Sequence, residues 1–122
     1  MIEEKCVLLV DDEFNLSFTL AQILQRAGYK VTQANCAECA EKYLNKQSFN
    51  LMILDIGLPD MDGLTFLPIV HCRFPQMPVF ILTACVTTDA RKKASENGAC
   101  HYIMKPVDPA ELISNIQAVL GA

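Results

Sequence analysis

Short apolar runs alternate along this chain with longer amphipathic stretches, and that alternation restricts it to folds built from parallel strand–helix–strand units. The runs are Cys6 to Val10, Lys30 to Gln33, Leu51 to Leu54, Val79 to Leu82 and Cys100 to Ile103. The third and fourth are apolar throughout, as strands covered on both faces must be.

The intervening stretches carry helical periodicity. Leu16, Leu20, Ile23, Leu24 and Ala27 recur on one face, and Gly28 is placed to end that helix in a left-handed cap. Ala37 to Lys46 forms the second crossover, Leu64 to Cys72 the third, and Asp89 to Asn97 the fourth, closed by Gly98. Pro68 falls inside the third and either kinks it or shifts its start. Asp108, Pro109 and Glu111 supply an N-cap, a first-turn proline and an N3 acid. Leu112, Ile113, Ile116, Val119 and Leu120 then line one face of a fifth helix.

Right-handed crossovers turn five such units into an α/β fold, a doubly wound five-stranded parallel sheet with helices on both faces. The flavodoxin-like strand order 2-1-3-4-5 is the common solution, and it makes strands one and three neighbours. At 122 residues the chain has the length of one domain, 1–122, with one core. Hydrophobic residues make up 52% and charged ones 20%, too apolar a mixture for a disordered segment.

The same features exclude several classes of function. No apolar run is long enough to span a bilayer, and Glu3, Glu4 and Lys5 do not open a signal sequence, so a soluble, cytoplasmic protein without membrane contact is expected. With a net charge of −4 and only Arg91, Lys92 and Lys93 as a basic run, direct nucleic-acid binding is not expected. The six cysteines sit within strand and helix patterns, which reads as reduced packing residues rather than a disulfide framework. Cys36 and Cys39 form a CxxC, but no second ligand pair completes a zinc site.

In open α/β sheets, ligands bind beyond the carboxyl ends of the strands. Strand one is followed there by Asp11, Asp12 and Glu13, strand three by Asp55, strand four by Thr83, and strand five by Lys105 and Pro106. Carboxylates about 5 Å apart repel by roughly 3 kcal/mol per pair at an effective dielectric near 20, which a divalent cation offsets. Hard oxygen ligands and room for phosphate oxygens suit Mg²⁺. With Thr83 as a hydroxyl donor and Lys105 as a positive charge, the set suits phosphoryl transfer to a carboxylate. Asp55 is the preferred nucleophile, because Leu51 to Leu54 deliver it from the central strand while Asp11 and Asp12 pair around a metal. Glu13 alternatively begins the first helix.

These residues resemble the response-regulator receiver family over essentially the whole chain. The resemblance rests on Val7-Leu8-Leu9-Val10-Asp11-Asp12-Glu13, on Leu54-Asp55-Ile56-Gly57-Leu58-Pro59-Asp60-Met61-Asp62-Gly63, on Ile81-Leu82-Thr83-Ala84, and on Tyr102-Ile103-Met104-Lys105-Pro106. The chemotaxis member of that family has the strand order given above, so the order rests partly on the resemblance.

The resemblance implies a two-component phosphorelay switch, not an enzyme in the ordinary sense, that assists its own phosphorylation and dephosphorylation. Asp55 receives a phosphoryl group from a sensor histidine kinase or a phosphotransfer protein, with Mg²⁺ as cofactor. Asp11, Asp12, Asp55 and the backbone carbonyl of Gly57 hold the metal, Asp12 more directly than Asp11. Thr83 and Lys105 contact the phosphoryl oxygens, and Lys105-Pro106 is similar to the family's cis peptide. Tyr102 matches the switch aromatic that turns inward with Thr83, changing the surface of the fourth helix, fifth strand and fifth helix toward an effector or output domain.

Other positions depart from the family pattern. Gly57 and Cys85 stand where side chains influence how fast water removes the phosphoryl group, and neither positions water. Asn97, Cys100 and His101 lack the acidic residues that many DNA-binding members use to dimerise. His71 and His101 read as surface or packing residues, and Asn15, Ser17, Phe18 and Gln22 on the first helix as candidates for kinase choice. A flavin carrier is disfavoured because Asp11, Asp12 and Glu13 would repel its phosphate. A phosphatase with an aspartyl nucleophile lacks material for a substrate cap, and a pseudo-receiver does not account for a complete set of reactive groups.

Overall fold

The computed structural model describes residues 4–84 and 87–121. Five strands alternate with five helices: β1 (Cys6–Val10), α1 (Phe14–Arg26), β2 (Lys30–Ala34), α2 (Ala37–Lys46), β3 (Leu51–Asp55), α3 (Gly63–Arg73), β4 (Val79–Thr83), α4 (Thr88–Glu96), β5 (Ala99–Met104) and α5 (Pro109–Leu120). All pairings are parallel and the sheet order is β2-β1-β3-β4-β5, as expected from the strand–helix alternation together with the family resemblance. Among the described residues no helix is long and apolar enough to cross a membrane.

Alternation along the strands divides the core in two. Leu8, Val10, Met52, Leu54, Val79 and Ile81 point to one face and pack with Ala40 and Leu44 of α2, Phe66, Leu67 and Val70 of α3, and Ala94 of α4. Val7, Leu9, Leu51, Ile53, Phe80 and Leu82 point to the other, against Leu20 and Leu24 of α1 and Leu112 and Ile116 of α5. All residues of β3 and β4 are buried. Each apolar side chain among them contributes roughly 1.5 to 3 kcal/mol by burial, so these two central strands form the rigid floor of the molecule.

The helix ends follow the local chemistry. Asp108 caps α5 by accepting from the Ala110 and Glu111 N–H groups at 3.0 and 3.5 Å, with Pro109 in the first turn. Asp62 caps α3 through the Leu64 N–H at 2.9 Å, which starts that helix at Gly63, one residue before the expected Leu64. The helix continues through Pro68 to Arg73, so the proline neither ends it nor shifts its start forward. Thr87 caps α4 by accepting from the Ala90 N–H, which begins the helix at Thr88 rather than Asp89. Gly28 and Gly98, each at φ +102°, follow α1 and α4 in the left-handed region that glycine supplies.

Two boundaries matter for chemistry. Asp55 and Thr83 are the last residues of β3 and β4, not the first residues beyond them, because the ladder pairs Asp55 with Leu82 and Thr83 with Met104. Both backbones are therefore fixed by the sheet.

Candidate functional site

At the carboxyl edge the ladder continues into the loops. The Asp11 N–H donates to the Ala34 carbonyl at 3.0 Å, extending the β1–β2 contact past Val10. The Lys105 N–H donates to the Thr83 carbonyl at 2.8 Å, and the Ile56 N–H to the Leu82 carbonyl at 3.2 Å. Asp11, Asp55, Thr83 and Lys105 are thus anchored through main chain, which removes most of the freedom a loop residue would have.

The side chains converge. Lys105 Nζ lies 3.0 Å from Asp55 Oδ2, 3.6 Å from Asp11 Oδ2 and 3.7 Å from Glu13 Oε1. Carboxylate oxygens of Asp11, Asp12 and Asp55 all fall within 4.8 Å of one another, with Asp11 and Asp55 buried and Asp12 exposed. One ammonium therefore faces several carboxylates. Burial pushes the Asp11 carboxyl up to about 6, against the Glu13 N–H it accepts at 2.9 Å; neighbouring Asp55 raises it further and Lys105 opposes. Burial alone pulls Lys105 down, but the Asp55 hydrogen bond and the charges of Asp11, Asp55 and Glu13 outweigh it and hold the ammonium above its ordinary value.

The donor set fits a small hard cation. Asp11 Oδ2 is buried and accepts no hydrogen bond, so an oxygen stripped of water points into an acidic cluster that Lys105 only partly neutralises. Asp12, on the exposed side, leaves room for water or phosphate oxygens, the coordination that Mg²⁺ favours. Glu13 sits at the N-cap of α1 without a side-chain cap bond and reaches Lys105 instead.

The loop from Ile56 to Asp62 wraps the acceptor side. The Gly57 N–H donates to Asp55 Oδ1 at 3.1 Å, fixing that carboxylate from one side while Lys105 holds its other oxygen. Gly57 is exposed beside Asp55. The Gly63 N–H donates to the Ile56 carbonyl at 2.7 Å, and a Cβ at Gly63 would stand 2.5 Å from the Asp55 carbonyl oxygen. Only glycine allows α3 to start this close to β3. Asp60 accepts from the Ala37 and Glu38 N–H groups of α2, both at 2.9 Å, which pins the loop to a second helix. Those two N–H groups hold its carboxyl below the usual carboxylate value. No role for Asp60 or Gly63 is legible in the sequence, because an acid and a glycine in a turn-rich loop are common to turns of every kind.

Thr83 is buried at the end of β4. Tyr102 on β5 is half-buried, packed against the core face that includes Ala94, with the Arg91 guanidinium 5.6 Å from its ring centre. The Lys105–Pro106 peptide is cis. His101 packs its ring edge-on to Phe80, and His71 is half-buried, where a Cβ at Gly98 would collide with it at 2.5 Å. Neither histidine joins the acidic cluster. Ser17 does not serve as a surface candidate for kinase choice: it is buried, and its Oγ accepts from Gln33 Nε2 at 2.9 Å. Asn15, Phe18 and Gln22 are exposed. Cys85 lies outside the described residues.

The family model of the response regulator receiver domain matches residues 7–117. The chain belongs to this family. The receiver domain is 34% identical over 107 residues to the response regulator protein FleR of Pseudomonas aeruginosa, covering 88% of this chain and 23% of FleR. It superposes on the CheY-like receiver domain protein of Methanospirillum hungatei with a TM-score of 0.94 at 34% identity, covering 98% and 95% of the two chains. A response regulator protein from Burkholderia pseudomallei, solved with a phosphorylated aspartic acid, a calcium ion and citrate, superposes with a TM-score of 0.85 at 27% identity, covering 94% and 72%. The chain therefore spans about a quarter of FleR's length. Receiver domains are phosphoacceptor signalling domains of two-component systems, generally phosphorylated on an aspartate, and generally bind Mg²⁺ at an acidic cluster.

Proposed function

We propose that this receiver domain accepts a phosphoryl group on Asp55 from the phosphohistidine of a sensor kinase or phosphotransfer protein. The observation that carries this reading is the Asp55 carboxylate, held on the central strand by Lys105 and the Gly57 N–H and within 4.8 Å of Asp11 and Asp12. An Asp55 oxygen attacks phosphorus, the P–O bond forms as the P–N bond to the donor imidazole breaks, and the imidazole nitrogen retains the electron pair and takes up a proton. Asp11, Asp12, Asp55 and the Gly57 carbonyl would hold Mg²⁺, which would neutralise charge on the transferring group. Lys105 follows the phosphoryl oxygens by its ammonium and Thr83 by its hydroxyl. The Burkholderia neighbour, solved with a phosphorylated aspartic acid and a calcium ion, supports the same chemistry here.

In this reading Thr83 and Tyr102 convey the change to the face formed by α4, β5 and α5, where an effector or output domain reads it in a cytoplasmic setting. The half-buried Tyr102 under Arg91 supports that assignment, since a partly exposed ring has both an inward and an outward position available. The domain contacts neither nucleic acid nor membrane itself.

The test is intact-mass analysis after incubation with acetyl phosphate, with and without Mg²⁺, on the wild type and on Asp55→Asn. One Mg²⁺-dependent phosphoryl adduct, absent from the variant, is expected. An adduct that persists in Asp55→Asn would move the acceptor elsewhere.

A further inference from the structure

The acceptor chemistry leaves Cys36 and Cys39 unused. Cys36 is the N-cap of α2, in extended conformation at φ −160°, and its sulfur accepts the Cys39 N–H at 3.3 Å. Cys39 is the third residue of the helix, so the first turn folds its side chain back toward the cap. The Cys36 thiol beside it, followed by burial, holds the Cys39 thiol above its ordinary value. Both residues are half-buried rather than sealed in the core, and Cys39 lines an open cavity together with Asp12, Asn35 and Tyr43. A cap-to-third-residue pair brings the Cα atoms of one helical turn within the range a disulfide spans. Sequence spacing alone left this pair as packing residues; the cap geometry and the sulfur contact are what distinguish it.

We propose that Cys36 and Cys39 form a redox-active dithiol that closes to an intramolecular disulfide on reaction with a low-molecular-weight disulfide such as glutathione disulfide. The Cys36 sulfur, at a helix N-terminus and holding an N–H, attacks one sulfur of the oxidant. The oxidant's S–S bond breaks and one glutathione thiolate leaves. Cys39, which keeps its proton until then, releases it, attacks the Cys36 sulfur and expels the second glutathione. Two thiol protons and two electrons pass to the oxidant, which ends as two thiols. The proposal does not depend on Asp55 accepting a phosphoryl group.

Exposed Cys72 provides an internal comparison. Tryptic cleavage after Lys30 and Lys42 isolates both cysteines of the pair in one peptide with no other cysteine. The intact chain is treated with glutathione disulfide, quenched in acid, alkylated and digested. Because the second step is intramolecular, with an effective thiol concentration of about millimolar, the linked peptide should exceed its glutathione adduct by at least about tenfold when free glutathione is kept below about 0.1 mM. That peptide is two hydrogens lighter and unalkylated. Cys39→Ser should instead trap glutathione on Cys36, and unfolding the wild type in urea should lower the linked-to-adduct ratio. Cys36→Ser keeps an oxygen at the N-cap, and its unchanged far-UV circular dichroism would show that loss of the link is not loss of fold. A wild-type peptide that stays fully alkylated while Cys72 takes up glutathione would overturn the proposal, as would a linked-to-adduct ratio unchanged in urea.

Discussion

Lys105 Nζ lies 3.0 Å from Asp55 Oδ2 in a setting where the lysine side chain is 14% exposed and the aspartate 8%. The same ammonium is the counter-charge to Asp11, so its removal leaves two buried carboxylates facing each other. Lys105→Met should lower stability by about 2 kcal/mol at about pH 8, below the roughly 3 to 5 kcal/mol of a broken buried pair because Asp11 can take up a proton in response. At about pH 5 the loss should shrink. Urea denaturation at the two pH values checks this; a pH-independent loss would show that the stem of Lys105, not its charge, holds the site.

The Asp11 carboxyl, like the Lys105 ammonium, is held above its ordinary value. Its folded carboxyl keeps a proton up to about 6, whereas the ordinary value is 3.8, so between these the folded state binds more protons than the unfolded one. Stability from this group is present below 3.8 and is lost as pH rises through 6. Without divalent cations, Asp11→Asn should therefore stabilise the fold at about pH 8 by roughly 1 to 2 kcal/mol, less than the full linkage because Lys105 loses a partner. Added Mg²⁺ should raise the melting temperature of the wild type more than that of the variant. For the wild type, this Mg²⁺ effect should weaken below about pH 6, where protons compete for Asp11. Thermal unfolding with Mg²⁺ and with chelator measures both; equal Mg²⁺ effects on the two proteins would remove Asp11 from the metal site.

How legible these groups were differs by scale. The rim positions of Asp11, Asp55, Thr83 and Lys105 follow from features local in sequence, namely apolar runs, helical spacing and the residue that ends each run, whereas the sheet order rests partly on the family resemblance. The α5 start was readable because Asp108, Pro109 and Glu111 act within one turn. Asp60 was not readable, since the N–H groups it caps are 22 and 23 residues away and belong to a different helix. Ser17 misled for a related reason: its place on α1 suggested a surface, and only the β2 partner Gln33 turns it inward. The α2 start at Ala37 was readable, but a cysteine is an uncommon N-cap, so the Cys39 N–H bond to the Cys36 sulfur was not legible.

Asp60 gives a prediction in acid. Two α2 N–H groups hold its carboxyl below the value of 3.8 that an unperturbed aspartate has. Its stabilising contribution is therefore fully present above 3.8 and is lost as pH falls through the lower folded value. Asp60→Ala should lower the melting temperature at about pH 7, and the difference from wild type should narrow in strong acid. A chain whose melting temperature is insensitive to this substitution at neutral pH would mean that α2 does not depend on the loop for its first turn.

Gly63 and Gly57 bracket the acceptor loop but tolerate side chains very differently. A Cβ at Gly63 meets the Asp55 carbonyl oxygen at 2.5 Å and Ile56 Cα at 2.6 Å, both backbone atoms that cannot swing aside. At Gly57 the nearest atom is Asp55 Oδ1 at 3.9 Å, an ordinary contact. Gly63→Ala should therefore cost about 3 kcal/mol, the upper part of the overpacking range, because β3 and α3 must separate to admit a methyl group. Gly57→Ala should stay within about 0.5 kcal/mol. Since Gly63 buttresses the main chain that carries Asp55, its variant should also form the acetyl phosphate adduct more slowly, even under conditions where it remains folded. Denaturation and adduct kinetics on the two variants separate these effects, and equal stability losses at both glycines would show that α3 is not seated against β3 as tightly as these distances require.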